Sequence, residues 1–263
     1  MTLILLSAQD DQLAPGQRHP VFWDKVPKRH QGAYFQVLHA PIPKVGALLT
    51  HPDQGTTAQV LSRFRWPGDD SAPCVEGCWI EARAKLMVPA QGISLDVRKE
   101  GAALAWVTVS DKSYAGQRQD RAGPLIAQTI GQALPLCLTQ GFLLPDDPAR
   151  LRSLLTDLAL EQGFDLIVTT GGTGVAPRDL TPETTSAILD KRLPGMETAM
   201  LVASLAKTPH AVISRAVAGI LGKSLIINLP GSPKAVAENL EALLPALPHA
   251  LAKMHGDPSD CAA

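Results

Sequence analysis

Leu166-Ile167-Val168-Thr169-Thr170-Gly171-Gly172-Thr173-Gly174, followed by Pro177-Arg178-Asp179-Leu180-Thr181-Pro182-Glu183, decides how this chain folds. The apolar, β-branched run 166–168 reads as a buried strand. Glycines at its carboxyl end let the backbone approach a ligand closely and aim N–H groups at its anionic part. Thr181, Pro182 and Glu183 have the form of a helix start, with Thr181 as N-cap and proline and an acid in the first turn. Between turn and helix, Arg178 and Asp179 supply a cation for a charged ligand and a carboxylate to hold a metal or steer a proton. An ordinary strand-to-helix loop can carry the same glycines, so the reading rests on what surrounds them.

Outward from this unit, strands alternate with helices. Residues 104–109 read as a strand ending at Ser110-Asp111. Leu125, Ile126 and Ile130 recur at helical spacing, and Asp147-Pro148 opens a helix with Leu151, Leu154, Leu155 and Leu158 on one face. Further helices are expected from Pro182 and over 196–206. A last strand, 224–228, runs into Leu229-Pro230-Gly231-Ser232-Pro233-Lys234 and then helices. The alternation predicts a three-layer α/β fold, a mostly parallel sheet with helices on both faces, whose ligands bind beyond the strands' carboxyl ends.

Residues 1–101 differ. They hold three of the four tryptophans (Trp23, Trp66, Trp79) and short proline-broken segments. Period-two stretches at 78–86 and 93–97, joined by Pro89-Ala90-Gln91-Gly92, read as a hairpin. The chain therefore divides into a small, mostly β N-terminal domain, 1–101, and an α/β domain, 102–263. The group Lys25, Lys28, Arg29 and His30 is expected to be a solvated face.

Composition narrows the function classes. A net charge of -1 without runs of one sign makes neither nucleic acid nor an acidic membrane surface the expected partner. No apolar stretch approaches a membrane span, and the short apolar start lacks a signal peptide's basic flank, so it reads as a strand. Cys74, Cys78, Cys137 and Cys261 are too few and irregular for a disulfide framework, which points to a reducing cytoplasm, and Cys74 and Cys78 are expected to be buried thiols. Cys74 and Cys78 lack the further ligands of a structural zinc site.

The polar residues gather at loops: Ser110-Asp111, Pro145-Asp146-Asp147, the glycine turn through Asp179, Ser214-Arg215, and Asn228-Leu229-Pro230-Gly231. N–H-lined turns, arginines and carboxylates together suit a nucleotide or phosphorylated ligand with magnesium, which prefers oxygen ligands. Phosphoryl or nucleotidyl transfer needs chiefly positioning and charge neutralisation. Each residue also has a plainer reading. Asp147 fits a helix cap, Asp111 a turn, Asn228 a strand end bonding its own backbone, Ser214 a cap, and Arg215 a surface ion pair.

In order, Val109-Ser110-Asp111, Asp120, Pro145-Asp146, the 169–174 turn, 177–182, Ser214-Arg215, Gly222 through Ser232 and Leu244 through Ala250 resemble the MogA/MoaB-type molybdopterin-binding domain. The same domain is the G domain of gephyrin and plant Cnx, and the resemblance covers about residues 102–254. It implies Mg2+-dependent adenylylation of molybdopterin by ATP, giving adenylyl-molybdopterin and pyrophosphate. It further implies a homotrimer and hand-off of the product to a molybdenum-insertion enzyme. By the same resemblance, Asp146 and Asp179 are the catalytic carboxylates that position magnesium and the reacting phosphates. Gly171, Gly172, Thr173, Gly174, Arg178, Thr181, Ser214, Arg215 and Asn228 would hold molybdopterin, while Ser110, Asp111, Pro230, Gly231 and Ser232 would border the nucleotide. Leu201 stands where the common bacterial form has arginine, as in the gephyrin-like form. The resemblance does not reach residues 1–101, to which the sequence assigns no role. A non-catalytic molybdopterin carrier or scaffold is the competing reading, and two carboxylates beside a phosphate site favour catalysis over it.

Overall fold

The computed structural model describes residues 2–7, 12–24, 26, 27, 30, 33–38, 40–69 and 72–258, with the side chains of 68, 69, 72 and 73 outside the description. Lys25, Lys28, Arg29 and Cys261 lie outside the described residues. Two compact units emerge, Met1–Glu100 and Gly101–Ala263.

The first unit is built of β1 (Thr2–Ser7), β2 (Gln12–Leu13), β3 (Arg18–Trp23), β4 (Phe35–Val37), β5 (Leu48–His51), β6 (Gly55–Asp69), β7 (Ala72–Ala82), β8 (Leu86–Met87) and β9 (Ile93–Arg98). Seven of these close into a barrel in the order β1-β4-β3-β7-β6-β5-β9, with β9 returning to β1, while β2 and β8 pair separately. Alternate residues such as Leu3, Leu5, Val21, Val60, Ile80 and Leu95 fill the interior, as barrel closure requires. The expected hairpin between 78–86 and 93–97 does not form. The Pro89–Gly92 turn exists, its Gly92 amide donating to the Pro89 carbonyl, but it joins β8 to β9. β7 pairs with β3 and β6, and β9 with β1 and β5. Pairing across the barrel thus overrides sequence proximity.

His30 is not part of a solvated face. Its ring packs edge-on against Phe22, Tyr34 and Trp66, and neither ring nitrogen has a hydrogen-bond partner among the described residues. The thiols also differ from expectation. Cys78 is buried as expected, but Cys74 is exposed.

The second unit opens with β10 (Ala102–Val109), α1 (Asp111–Tyr114), α2 (Ala122–Ala133) and β11 (Leu136–Leu144). α3 (Pro148–Thr156) continues into a π-helical turn, and β12 (Leu166–Thr170), α4 (Thr181–Ser186), β13 (Lys191–Arg192) and α5 (Pro194–Leu205) follow. β14 (Ala218–Leu221), β15 (Ser224–Leu229), α6 (Pro233–Leu243) and α7 (Leu247–Met254) complete it. The sheet order is β11-β10-β12-β15-β14-β13. The first four strands are mutually parallel and the last two antiparallel. β12 and β15 are buried along their whole length, as strands covered on both faces must be. Leu104, Ile126, Ile130, Val168, Ile227, Val236 and Leu240 belong to its core.

Candidate functional site

All four parallel strands end on one edge, and each delivers one loop there: β10 gives Ser110-Asp111, β11 gives Pro145-Asp146, β12 the glycine turn, and β15 Pro230-Gly231-Ser232. A cleft of about 670 Å3 opens between them. Its walls include Ser110, Asp146, Gly171, Gly172, Asp179, Gly231 and Ser232 from the expected set. Thr108, Ser113, Arg118, Asp120, Arg121 and Thr170 join them.

The glycine turn is shaped by approaches that a side chain would block. Gly171 has φ +99° and a Cβ there would collide with the Val109 carbonyl oxygen. Gly172 has φ +63°, and its Cβ would strike the Thr181 hydroxyl. The Gly171 amide donates to the Leu229 carbonyl (3.2 Å) and the Thr170 hydroxyl to the Pro230 carbonyl (2.7 Å), which tie this turn to the loop after β15. The amides of Gly172, Gly174 and Val175 donate to no group among the described residues. They are the free donors an anion needs.

Two carboxylates fix a neighbouring pair of loops. The Asp111 amide donates to Asp146 Oδ2 (3.2 Å), and the Asp146 amide returns a bond to Asp111 Oδ1 (3.0 Å). Arg178 Nη1 donates to the other Asp111 oxygen, Oδ2, at 2.7 Å. Both oxygens of Asp111 are thus engaged. Asp146 and Asp179 each commit a single oxygen to a backbone amide, Asp179 Oδ2 accepting from Ala176 N at 2.9 Å. Each retains an oxygen for a ligand.

The other expected contacts lie outside the walls of this cleft. Arg215 staples the turn: its Nε donates to the Gly174 carbonyl (2.8 Å), its Nη2 to the Asp179 carbonyl and its Nη1 to Glu183, while its amide bonds the Thr173 carbonyl. Ser214 ends the 3-10 turn Pro209–Ile213. Asn228 is fully buried and donates to Thr169 Oγ1 (2.9 Å) and Thr185 Oγ1 (3.1 Å), leaving its Oδ1 without a partner among the described residues. Its contacts are therefore to other strands and helices rather than to its own backbone. Thr181 does not cap α4. It is the first helical residue, Leu180 holds the cap position, and the buried Thr181 hydroxyl has no partner among the described residues. Asp147 is a cap, accepting from Ala149 and Arg150 amides at 2.9 and 3.1 Å. The sequence reading missed Arg118 and Arg121 as wall residues; they follow Ser110 closely, and only that proximity signalled them.

Among the described residues no three His, Cys, Asp or Glu side chains form a ready metal cluster. Asp146 and Asp179 both line the cleft with one oxygen uncommitted among the described residues, and magnesium is commonly held by one or two carboxylates together with substrate phosphates.

Residues 105–249 match the family described as "Probable molybdopterin binding domain". Gephyrin of Dictyostelium discoideum is 40% identical over 161 residues, 58% of this chain and 22% of gephyrin. A molybdopterin adenylyltransferase of Haemophilus influenzae is 44% identical over 139 residues, 52% of this chain and 70% of that protein. The chain spans less than a quarter of the length of its gephyrin and Drosophila cinnamon relatives, 22% and 24%. Among solved structures, MoaB from Thermus is 45% identical with a TM-score of 0.56, over 60% of this chain and 99% of that one. The tungsten cofactor synthesizing protein MoaB from Pyrococcus furiosus is 32% identical with a TM-score of 0.54, over 60% and 99%.

Proposed function

The chain belongs to the molybdopterin-binding domain family, and on that premise we propose that it serves molybdenum cofactor biosynthesis by transferring AMP from ATP to molybdopterin. A terminal phosphate oxygen of molybdopterin attacks the α-phosphorus of ATP. The new P–O–P bond forms as the bond between the α-phosphorus and the bridging oxygen to the β-phosphate breaks, and pyrophosphate leaves.

One observation carries the reading: Asp146 and Asp179, from loops after different strands, enter one cleft beside the free amides of the glycine turn. The amides hold phosphate. The carboxylates are too few to bind a metal alone and suit one that arrives with the nucleotide. Magnesium, when bound by Asp146 and Asp179, neutralises charge on the reacting phosphates. Ser110, Gly231 and Ser232 border the nucleotide. Asp111, Arg178 and Arg215 act by holding loops in register, so that reactants meet in a fixed geometry. In this reading the protein works in the cytoplasm as a homotrimer and passes adenylyl-molybdopterin to a molybdenum-insertion enzyme. Exposed apolar side chains, Leu201, Val202 and Leu205 on α5 with Val212 and Ile213 in the 3-10 turn that follows it, offer a surface for self-association.

The test is pyrophosphate release from ATP and magnesium, with and without molybdopterin. Release should require molybdopterin and fall by about a hundredfold or more in Asp146→Asn and in Asp179→Asn, with thermal unfolding unchanged. Tight molybdopterin binding without release from any of the three proteins would overturn the enzyme reading and leave a carrier.

A further inference from the structure

The cations that the sequence directs at an anionic ligand are already spent. Arg178 is paired with Asp111, and Arg215 is consumed by Glu183 and two carbonyls. ATP brings about four negative charges into a cleft that already presents Asp146 and Asp179. Something in the wall must offset them.

Arg118 is placed for this. It lies between α1 and α2, on the wall that carries Ser110. Its Nη2 donates to Ser110 Oγ at 3.1 Å, and the same oxygen accepts the Ser113 amide at 3.3 Å as the cap of α1. Ser110 is thereby fixed and holds the guanidinium at the cleft. A guanidinium has five N–H donors, and this bond uses one. No carboxylate pairs with Arg118 among the described residues. The nearby Asp120 does not compensate it: its oxygens accept Thr108 Oγ1, Ala122 N and Gly123 N. Gly231, Ser232 and Pro233 also belong to the walls, and the Gly231 and Ser232 amides donate to nothing among the described residues.

We propose that Arg118 is a phosphate-binding residue of the nucleotide subsite, its guanidinium taking the β- and γ-phosphates of ATP, the pair that departs as pyrophosphate. The assignment rests on the adenylyl-transfer reading for the identity of the nucleotide. A planar fork matches two phosphate oxygens at once, which an ammonium cannot do. The residue thus selects a triphosphate over a monophosphate and sets no preference for the pterin.

Calorimetric titration of the intact chain with ATP and with AMP, each with magnesium, tests it in wild type, Arg118→Ala and Arg118→Lys. Arg118→Ala should weaken ATP about tenfold and AMP less than twofold, with Arg118→Lys in between. Thermal unfolding should not move, because the side chain is exposed and makes one hydrogen bond. Equal ATP affinity in wild type and Arg118→Ala, or equal weakening of ATP and AMP, overturns the assignment and leaves the transferase reading standing. A wild-type chain that binds no ATP overturns both. Selective loss of ATP affinity without any molybdopterin-dependent pyrophosphate release upholds Arg118 and overturns the transferase reading.

Discussion

At the scale of single residues, the glycine turn separates positions that need glycine from positions that merely have it. Gly171 combines a left-handed φ with the Val109 carbonyl oxygen where its Cβ would sit, and a backbone held by β10–β11 pairing cannot retreat as a side chain can. Gly171→Ala should cost roughly 2–3 kcal/mol of stability, read by denaturant unfolding, and abolish transfer. Gly231→Ala should fold normally, since its Cβ would meet only Gly171 Cα at 3.4 Å with an ordinary φ. Equal losses in the two variants would show that strain at Gly171 is not what fixes the turn. The thiols give a second contrast. Burial pushes the Cys78 thiol far up, against a smaller opposing pull from Arg63, so almost no thiolate exists at neutral pH. Iodoacetamide on the native protein should label Cys74, which is exposed, and leave Cys78 unmodified until unfolding, as peptide mapping would show. Residue types at this scale were legible in the sequence; their partners were not. Arg178 and Arg215 read as ligand cations because nothing local shows that Asp111, 67 positions away, and Glu183, 32 away, will claim them.

At the scale of elements, legibility followed the range of the forces involved. β10, β12 and β15 announce themselves as apolar runs because both their faces are covered. β11 went unread: it is the edge strand, half-exposed along its length, and its run is broken by Gln140 and Gly141. Gly141 is there because the Trp106 ring of β10 presses on it, a contact invisible before the strands pair. The barrel hairpin was misread for the same reason, its true partners lying across the barrel. Arg215 is where an element-level consequence can be measured. It binds carbonyls at both ends of the loop, at Gly174 and Asp179, and ties it to α4 through Glu183. Arg215→Ala should loosen residues 171–179 without melting the sheet. Hydrogen exchange of amides in that loop should quicken by an order of magnitude or more while β12 amides stay protected, and transfer should slow through kcat. Unchanged loop exchange would reduce Arg215 to a surface ion pair.

At the scale of the molecule, the two units have separate interiors. The barrel core draws on residues up to Val97, and the core of the α/β unit on residues from Ala102 onward. Each buries its own apolar surface and satisfies its own sheet, the conditions for folding alone. The candidate cleft and the exposed apolar residues of α5 both fall in the second unit. Residues 101–263 expressed alone should therefore unfold cooperatively, keep molybdopterin-dependent pyrophosphate release, and scatter light as three times their own mass. Val202 is 61% exposed and belongs to neither core among the described residues, so Val202→Lys tests the proposed self-association surface without harming the fold. If that surface joins the subunits as proposed, the variant should bring both the full chain and residues 101–263 to the mass of a single copy, because the introduced charge would have to be buried. A trimer that survives Val202→Lys would move the subunit contact off α5. A monomeric 101–263 beside a trimeric full chain would transfer the assembly role to the barrel, giving residues 1–100 the function that their sequence does not declare.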